Sequence, residues 1–317
     1  MIIDLNEDLL DDIANELGIS EPSLVEKDFH VTQILAALSK FQSDDFKLIF
    51  AGGTCLSKTV NALGRMSEDI DFKLIPLDKN TDLSQGQLRT KLSKVKKHIS
   101  KLISNGDYKG NIVVAENGNR HIEWEINYLP LLNPVDALRP IIQVETTYCQ
   151  YFENHQIKRF GSMVAESMQY QLEVDSFSCV DATHTVAEKL LSLLRRIAGI
   201  ARGLKWQDDR LVRHVYDIHI LSHGDFINRT QFVTILEGVM KWDADRFKLQ
   251  NPEFANNPIA ECEIALDALK ADDVYAKNYT DFLGPLVYAQ DAETDFNVAL
   301  SSVYDLFNYF INHQTKF

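Results

Sequence analysis

The feature that most constrains the fold is a double glycine, Gly52-Gly53, which lies between a short β-rich run and a helical stretch. The run over 47–51 is apolar and ends at the glycines, which predicts a strand. Glycine lets a backbone approach a ligand closely, and the helix expected over 54–63 offers free N–H groups and the positive end of its dipole to a phosphate. The turn is therefore typical of a phosphate-binding site, to which Thr54 adds a hydroxyl and Lys58 a positive charge.

Downstream of this turn, residues 67–75 alternate between polar and apolar side chains, which predicts a half-buried strand. Asp69 and Asp71 then share one face, and two carboxylates that close repel each other unless a cation lies between them. Mg²⁺ bound through carboxylates and substrate phosphates is such a cation. A solvated strand face is the alternative for an isolated pair of aspartates. The glycine turn just before the pair favours metal-dependent nucleotidyl transfer, with an NTP as the substrate.

The remaining patterns indicate an α/β lobe followed by a helical lobe. The two-residue spacing of strands recurs on both sides of Asn117-Gly118-Asn119, a hairpin signal, and again over 140–148. From about residue 183 the pattern is helical almost to the end. Apolar residues at helical spacing predict three further helices, over 7–17, 21–41 (with Ser20 as the cap) and 86–104. We therefore expect an α/β domain over residues 1–175 and a helical domain over 176–317.

Composition limits the partners of the chain. The formal net charge is −14, so nucleic acid has no global basic surface to bind, and an RNA substrate would need a local basic patch. The best candidate is the polar face of the helix over 86–104, although a solvated helix face is the alternative. That face carries Arg89, Lys91, Lys94, Lys96, Lys97 and Lys101.

Cysteine spacing and hydropathy indicate a reduced, cytoplasmic protein. The four cysteines are far apart and form no CxxC pair, which argues against a zinc site. The N-terminus is acidic and lacks the pattern of a signal peptide. No apolar run is long enough for a transmembrane helix, so we expect no membrane partner.

Several segments together resemble one protein family. FAGGTCLSK and GRMSEDIDFKL resemble the glycine-turn and S-E-D-I-D-F motifs of the AbiEii/AbiGii abortive-infection toxins, which include the toxins of type IV toxin–antitoxin systems. The resemblance runs in family order from about residue 25 to 221. Three further segments match the family's E-K-D, A-E-K-L and Y-D motifs: VEKDFHVTQIL (25–35), TVAEKLLSLLRR (185–196) and RHVYDIHIL (213–221).

The resemblance implies a nucleotidyltransferase lobe of the DNA polymerase β superfamily with a mixed sheet, followed by a mainly helical lobe. It also implies Mg²⁺ as the cofactor, an RNA acceptor such as a tRNA 3′ end, and a cognate antitoxin protein as partner. Residue by residue, it assigns metal binding to Asp69 and Asp71, triphosphate binding to Gly52, Gly53 and Thr54, nucleotide contact to Lys189, and the last acidic position to Asp217. It also suggests that Lys27 lies near a phosphate.

Two assignments stay open at this point. Superfamily members commonly use a third metal-binding carboxylate, for which Glu145 on a more apolar strand is preferred over Glu125 on a hairpin strand. Asp217 is either catalytic or a structural partner of Lys189, because His214 replaces the aspartate that the family often has nearby. Two rival functions also remain: nucleotide transfer to a protein or small molecule, and a non-catalytic interaction module that keeps the fold.

Overall fold

The computed structural model describes residues 5–60, 63–77, 83–149, 155–204, 208–288 and 294–314. The chain forms two compact units. The first contains the described residues up to Val180 apart from 63 and 64, and the second contains those two residues and the described residues from Asp181 onward. Residue 175, where the sequence predicted the domain boundary, lies within a strand, Val174–Val180, that belongs to the first unit.

The first unit is built on a mixed sheet, which confirms the predicted fold class. The seven strands are β1 (Phe46–Ala51), β2 (Ile70–Pro76), β3 (Lys109–Glu116), β4 (His121–Asn127), β5 (Ile141–Tyr148), β6 (His155–Phe160) and β7 (Val174–Val180), in the order β3-β4-β5-β2-β1-β7-β6. β2 and β5 are parallel, as are β1 and β7, and the other neighbours are antiparallel. The central strands β1, β2 and β5 supply much of the buried core.

Among its described residues, this unit has five α-helices: α1 (Glu7–Leu17), α2 (Pro22–Leu38), α3 (Gly52–Val60), α4 (Gln85–Ile103) and α5 (Met163–Ser167). α2 has Pro22 in its first turn, where a missing N–H costs nothing. The expected cap at Ser20 is wrong, because Glu21 is the N-cap residue and its side chain caps no backbone N–H. α4 begins with a capping box between Ser84 and Gln87 and buries an apolar stripe against the core.

Strand β2 shows the expected alternation but begins at Ile70, three residues later than predicted. Ile70, Phe72 and Leu74 are buried, whereas Asp71 is partly exposed. The residues just before the strand use other partners. The carbonyl of Asp69, for example, accepts a hydrogen bond from a side chain instead of a neighbouring strand.

The hairpin between β3 and β4 forms at the predicted Asn117-Gly118-Asn119, where all three residues have positive φ. Asn119 also joins the hairpin to α4, since its side chain accepts a bond from Lys96 and donates one to Ser93. Strands β6 and β7 were not predicted.

The second unit is helical in its described residues, as expected for the C-terminal lobe. Its α-helices are α6 (Ala182–Ala201), α7 (Arg213–His223), α8 (Arg229–Phe247), α9 (Pro252–Asn256), α10 (Pro258–Ala271), α11 (Asp273–Asn278) and α12 (Phe296–His313). A π-helical turn, Tyr279–Leu283, follows α11. Within the described part of the chain, no helix combines the length and the apolar character needed to cross a membrane.

Candidate active site

The glycine turn and the aspartate strand meet directly at Gly52 and Asp71. Gly52 is the first residue of α3 and has a φ of +75°, which favours glycine. A Cβ at this position would lie 2.0 Å from Asp71 Oδ2, so only glycine leaves room for that carboxylate. The antiparallel pairing of β1 with β2 sets Asp71 opposite Ala51, the residue before the turn. The glycine thus brings the Asp71 carboxylate against the first turn of α3.

Thr54 connects the same turn to Asp69. The Thr54 side chain is fully buried, and its hydroxyl donates to the carbonyl of Asp69 at 2.6 Å and lies 3.1 Å from Ser67 Oγ. The expected contact between this hydroxyl and a phosphate does not fit, because its proton is committed inside the protein. Thr54 instead fixes the backbone that carries Asp69.

A row of carboxylates crosses three strands of the sheet. In the strand register, Asp71 of β2 pairs with Glu145 of β5, and Glu145 pairs with Glu123 of β4. Glu125 pairs with Gln143 instead, two residues along β5, and is exposed. The register therefore sets Glu145 beside Asp71 and Glu125 further away, so Glu145 stays the proposed third carboxylate.

His121 adds a positive charge to this row. Its ring nitrogens lie 2.8 Å from Glu123 Oε1 and 3.3 Å from Glu145 Oε1. The hydrogen bond to Glu145 is the largest cause that raises the pKa of His121 to about 9. In the described residues, these three side chains place possible metal-ligand atoms within 4.8 Å of one another. The protonated imidazole is a counter-ion of the two glutamates.

Asp69 has a cationic partner that the sequence did not reveal. Arg139 Nη1 lies 2.6 Å from Asp69 Oδ1 and also donates to Gln143 on β5. Both side chains of the pair remain about a third exposed. Arg139 precedes β5 and belongs to none of the matched motifs, so no pattern in the sequence singled it out.

The Glu26-Lys27-Asp28 segment of α2 is buried and holds the backbone of two other segments, the β4–β5 connection and the start of α5. Glu26 accepts hydrogen bonds from the backbone N–H groups of Leu131 and Leu132, at 2.5 and 3.0 Å. Asp28 accepts one from the backbone N–H of Met163 at 2.8 Å. The segment therefore affects the site indirectly, because its side chains hold the backbone of other parts of the chain.

Neither of the two lysines expected near a phosphate is available for one. Lys27 is fully buried, and its ammonium donates to the carbonyls of Arg139 and Ile141 at 2.8 and 2.6 Å. Lys58 Nζ lies 2.6 Å from Asp28 Oδ1 and donates to the Gly161 carbonyl at 2.9 Å. The expected phosphate contacts do not fit these placements, because a phosphate would have to displace buried partners.

In the second unit, the motif residues Lys189 of α6 and Asp217 of α7 form an ion pair of 2.8 Å. Asp217 is fully buried, whereas Lys189 keeps 8% of its surface exposed. This placement matches the structural alternative for Asp217, a partner that fixes the Lys189 ammonium. A fully buried carboxylate of this kind does not meet substrate in the present conformation.

The basic face of α4 is partly engaged in structural contacts. Lys91 pairs with Asp45 at 2.6 Å, and Lys96 donates to Asn119 at 3.0 Å. The other basic residues of the face are exposed: Arg89, Lys94, Lys97 and Lys101.

Comparison with known proteins gives one family match. The model of the family described as nucleotidyl transferase AbiEii toxin, type IV TA system, matches residues 33–302. MenT4, a nucleotidyltransferase toxin from Mycobacterium tuberculosis, is similar in fold, with a TM-score of 0.57 and 15% identity over 96% of this chain and 90% of that one. JHP933 from Helicobacter pylori gives a TM-score of 0.45 and 12% identity over 92% and 95% of the two chains. No curated protein matches the sequence significantly.

Proposed function

Because the chain belongs to the AbiEii family of nucleotidyltransferase toxins of type IV toxin–antitoxin systems, we propose that it transfers a nucleotide from an NTP to an RNA acceptor, with Mg²⁺ as cofactor. The observation that carries this proposal is the contact between Gly52 and Asp71, which joins a phosphate-binding turn to a carboxylate pair. A tRNA 3′ end is the acceptor that the family resemblance favours.

The carboxylates on and next to strand β2 and on β5 suit Mg²⁺. Asp69, Asp71 and Glu145 offer carboxylate oxygens, the ligands that this ion prefers, and all three are partly exposed. Glycine at position 52 leaves the space that Asp71 occupies. When bound, Mg²⁺ would neutralise charge on the triphosphate and activate the attacking hydroxyl.

The protein residues have separable tasks in this proposal. The free N–H groups at the start of α3, including that of Gly53, bind a phosphate of the NTP. The Thr54 hydroxyl holds Asp69 in place by donating to the backbone carbonyl of Asp69. Glu145, the cross-strand neighbour of Asp71, is the third carboxylate of the proposed metal site. Lys189 contacts the nucleotide, as the family resemblance implies, and Asp217 fixes the position of its ammonium.

RNA binding is the part of the proposal that must overcome the net charge of −14. The exposed lysines and arginine of α4 are the local basic surface that favours it. A cognate antitoxin, which the family implies, is the proposed protein partner in the cytoplasm.

The test uses the full chain, Mg²⁺, each α-labelled NTP in turn, and total RNA. We expect label on a discrete RNA species with one or a few NTPs, and none with Asp71→Asn or with EDTA. Asp305→Asn, a change of the same type on α12 in the second unit, is the matched control and keeps activity. Label on RNA that persists in Asp71→Asn would contradict the proposed site.

The acidic charge also supports a second candidate, transfer to a protein or a small molecule. The same reactions separate the two, because label on protein or on a small-molecule acceptor, with none on RNA, selects the second candidate. A non-catalytic module predicts that the double variant Asp69→Ala, Asp71→Ala is as toxic in cells as the wild type. We expect that variant to be harmless at equal protein level.

A further inference from the structure

Arg139 lies outside any regular element, yet both of its backbone polar groups are held by hydrogen bonds to charged side chains. Its backbone N–H donates to Glu68 Oε2 at 2.9 Å, and its carbonyl accepts from Lys27 Nζ at 2.8 Å. Lys27 and Glu68 themselves lie 3.4 Å apart and are almost completely buried. Both polar groups of the Arg139 backbone are therefore fixed by charged side chains inside the protein.

Such an arrangement is costly to build. Burial removes Lys27 and Glu68 from water, which lowers the pKa of Lys27 and raises that of Glu68 despite their mutual attraction. What the buried pair fixes is the backbone of Arg139. The guanidinium of this residue reaches the surface, where its Nη1 lies 2.6 Å from Asp69 Oδ1. The buried pair thus delivers a permanent positive charge to one of the two motif aspartates.

A guanidinium on Asp69 competes with a metal ion for the same carboxylate. It also suits a triphosphate, because guanidinium groups bind phosphate oxygens with the same paired geometry as carboxylates. With 29% of its side chain exposed, Arg139 can exchange one partner for the other while its backbone stays fixed.

We propose that Arg139 is the counter-ion of Asp69 in the nucleotide-free protein and moves to the triphosphate when an NTP binds. Asp69 is thereby released to the metal only when nucleotide is present, so metal and nucleotide bind cooperatively. Arg139 is on this account a nucleotide-binding residue that also controls access to the metal site. The inference rests on the proposed function, because it needs the metal and the NTP at Asp69.

The test is Arg139→Gln, which keeps both backbone bonds and removes the charge. Mn²⁺ binding without nucleotide is measured by electron paramagnetic resonance of the free ion. The affinity for each of the four NTPs at saturating Mg²⁺ is measured by calorimetry. We expect Mn²⁺ to bind about tenfold more tightly to the variant and the NTP about tenfold more weakly, the size of one charge-assisted hydrogen bond in each case.

Two controls separate this role from a change in net charge or in fold. Arg159→Gln removes one charge from an exposed position on strand β6 and should change neither affinity by more than about twofold, since exposed charges are screened. Arg139→Lys keeps the charge but not the planar fork, so it should retain the weak Mn²⁺ binding while NTP affinity falls.

The outcomes are distinct. If Mn²⁺ binds more weakly to Arg139→Gln, the arginine supports the metal site by positioning Asp69, and the competition is refuted. If Arg139→Gln binds NTP as tightly as the wild type does, the guanidinium does not contact the triphosphate and that part of the proposal is refuted. If the wild type binds neither Mn²⁺ nor any NTP, the proposed function itself fails, which is a separate result.

Discussion

Replacement of Gly52 by alanine tests whether glycine is required at this position to leave room for the Asp71 carboxylate. The new Cβ would lie 2.0 Å from Asp71 Oδ2 and 2.9 Å from Asp71 Cγ, so the carboxylate oxygen must move by about 1.5 Å to reach an ordinary van der Waals contact of about 3.5 Å. A positive φ adds about 1–2 kcal/mol for a residue with a Cβ. We therefore expect a loss of at least about 1–2 kcal/mol in the free energy of unfolding.

The activity loss should be larger than the stability loss suggests. A misplacement of about 1 Å at a reacting group costs on the order of 10²-fold in rate, and Asp71 is such a group in the proposed mechanism. The assay is urea denaturation followed by circular dichroism, combined with the rate of labelled-NTP transfer.

Gly86→Ala is the matched control, because Gly86 lies in the first turn of α4 and a Cβ added there would have nothing within 4 Å. It should retain activity and stability. The clash is isolated by Gly52→Ala in an Asp71→Ala background, where the nearest remaining atom is Asp71 Cβ at 3.0 Å, so the stability cost should fall. If Gly52→Ala is as stable and as active as Gly86→Ala, the reasoning is refuted.

Three further predictions concern the helical unit. Lys189→Met leaves the buried Asp217 carboxylate without its cation and should cost about 3–5 kcal/mol by urea denaturation, whereas adding Asp217→Leu should recover part of that loss. Burial lowers the pKa of His219, so the unfolded state binds the proton more tightly than the folded state does. The stability of the wild type should therefore fall as the pH drops through about 6.5. The thermal midpoint of His219→Gln should decline less than that of the wild type between pH 8 and 5.5, and equal declines would contradict this. Gly238→Ala, within α8 and with open space for a Cβ, should raise stability by up to about 1 kcal/mol, and a destabilised variant would refute it.

Local patterns were sufficient to predict the glycine turn and most of strand β2. They did not reveal that Asp69 lies before the strand or that Glu123 pairs with Glu145 in the carboxylate row. Alternation places Asp71 and Glu145 on polar faces, and a glycine before a helix indicates a close approach. These signals depend on residues that are near each other in the chain. The preference for Glu145 over Glu125 used the same kind of information, namely how apolar each strand is.

The electrostatic partners could not be predicted, because they come from distant positions. Arg139 reaches Asp69 across 70 residues of chain, and Lys27 reaches Ile141 across 114. A lysine or arginine looks the same in the sequence whether it is solvated or buried. The resemblance identified Lys27 as a motif position, and the glycine turn suggested Lys58 as a phosphate contact. What each lysine actually contacts emerges only from the hydrogen bonds that surround it.

Glu26, Lys27 and Asp28 occupy a single turn of α2, yet they fix backbone near residues 131, 140 and 163. One change in this turn would disturb several loops at once without touching substrate. A genetic screen for loss of toxicity would therefore recover this turn as readily as the metal-binding aspartates. Loss of toxicity alone would then assign too many residues to the active site. Binding measurements on soluble variants would be needed to distinguish residues that hold the backbone from residues that bind metal or substrate.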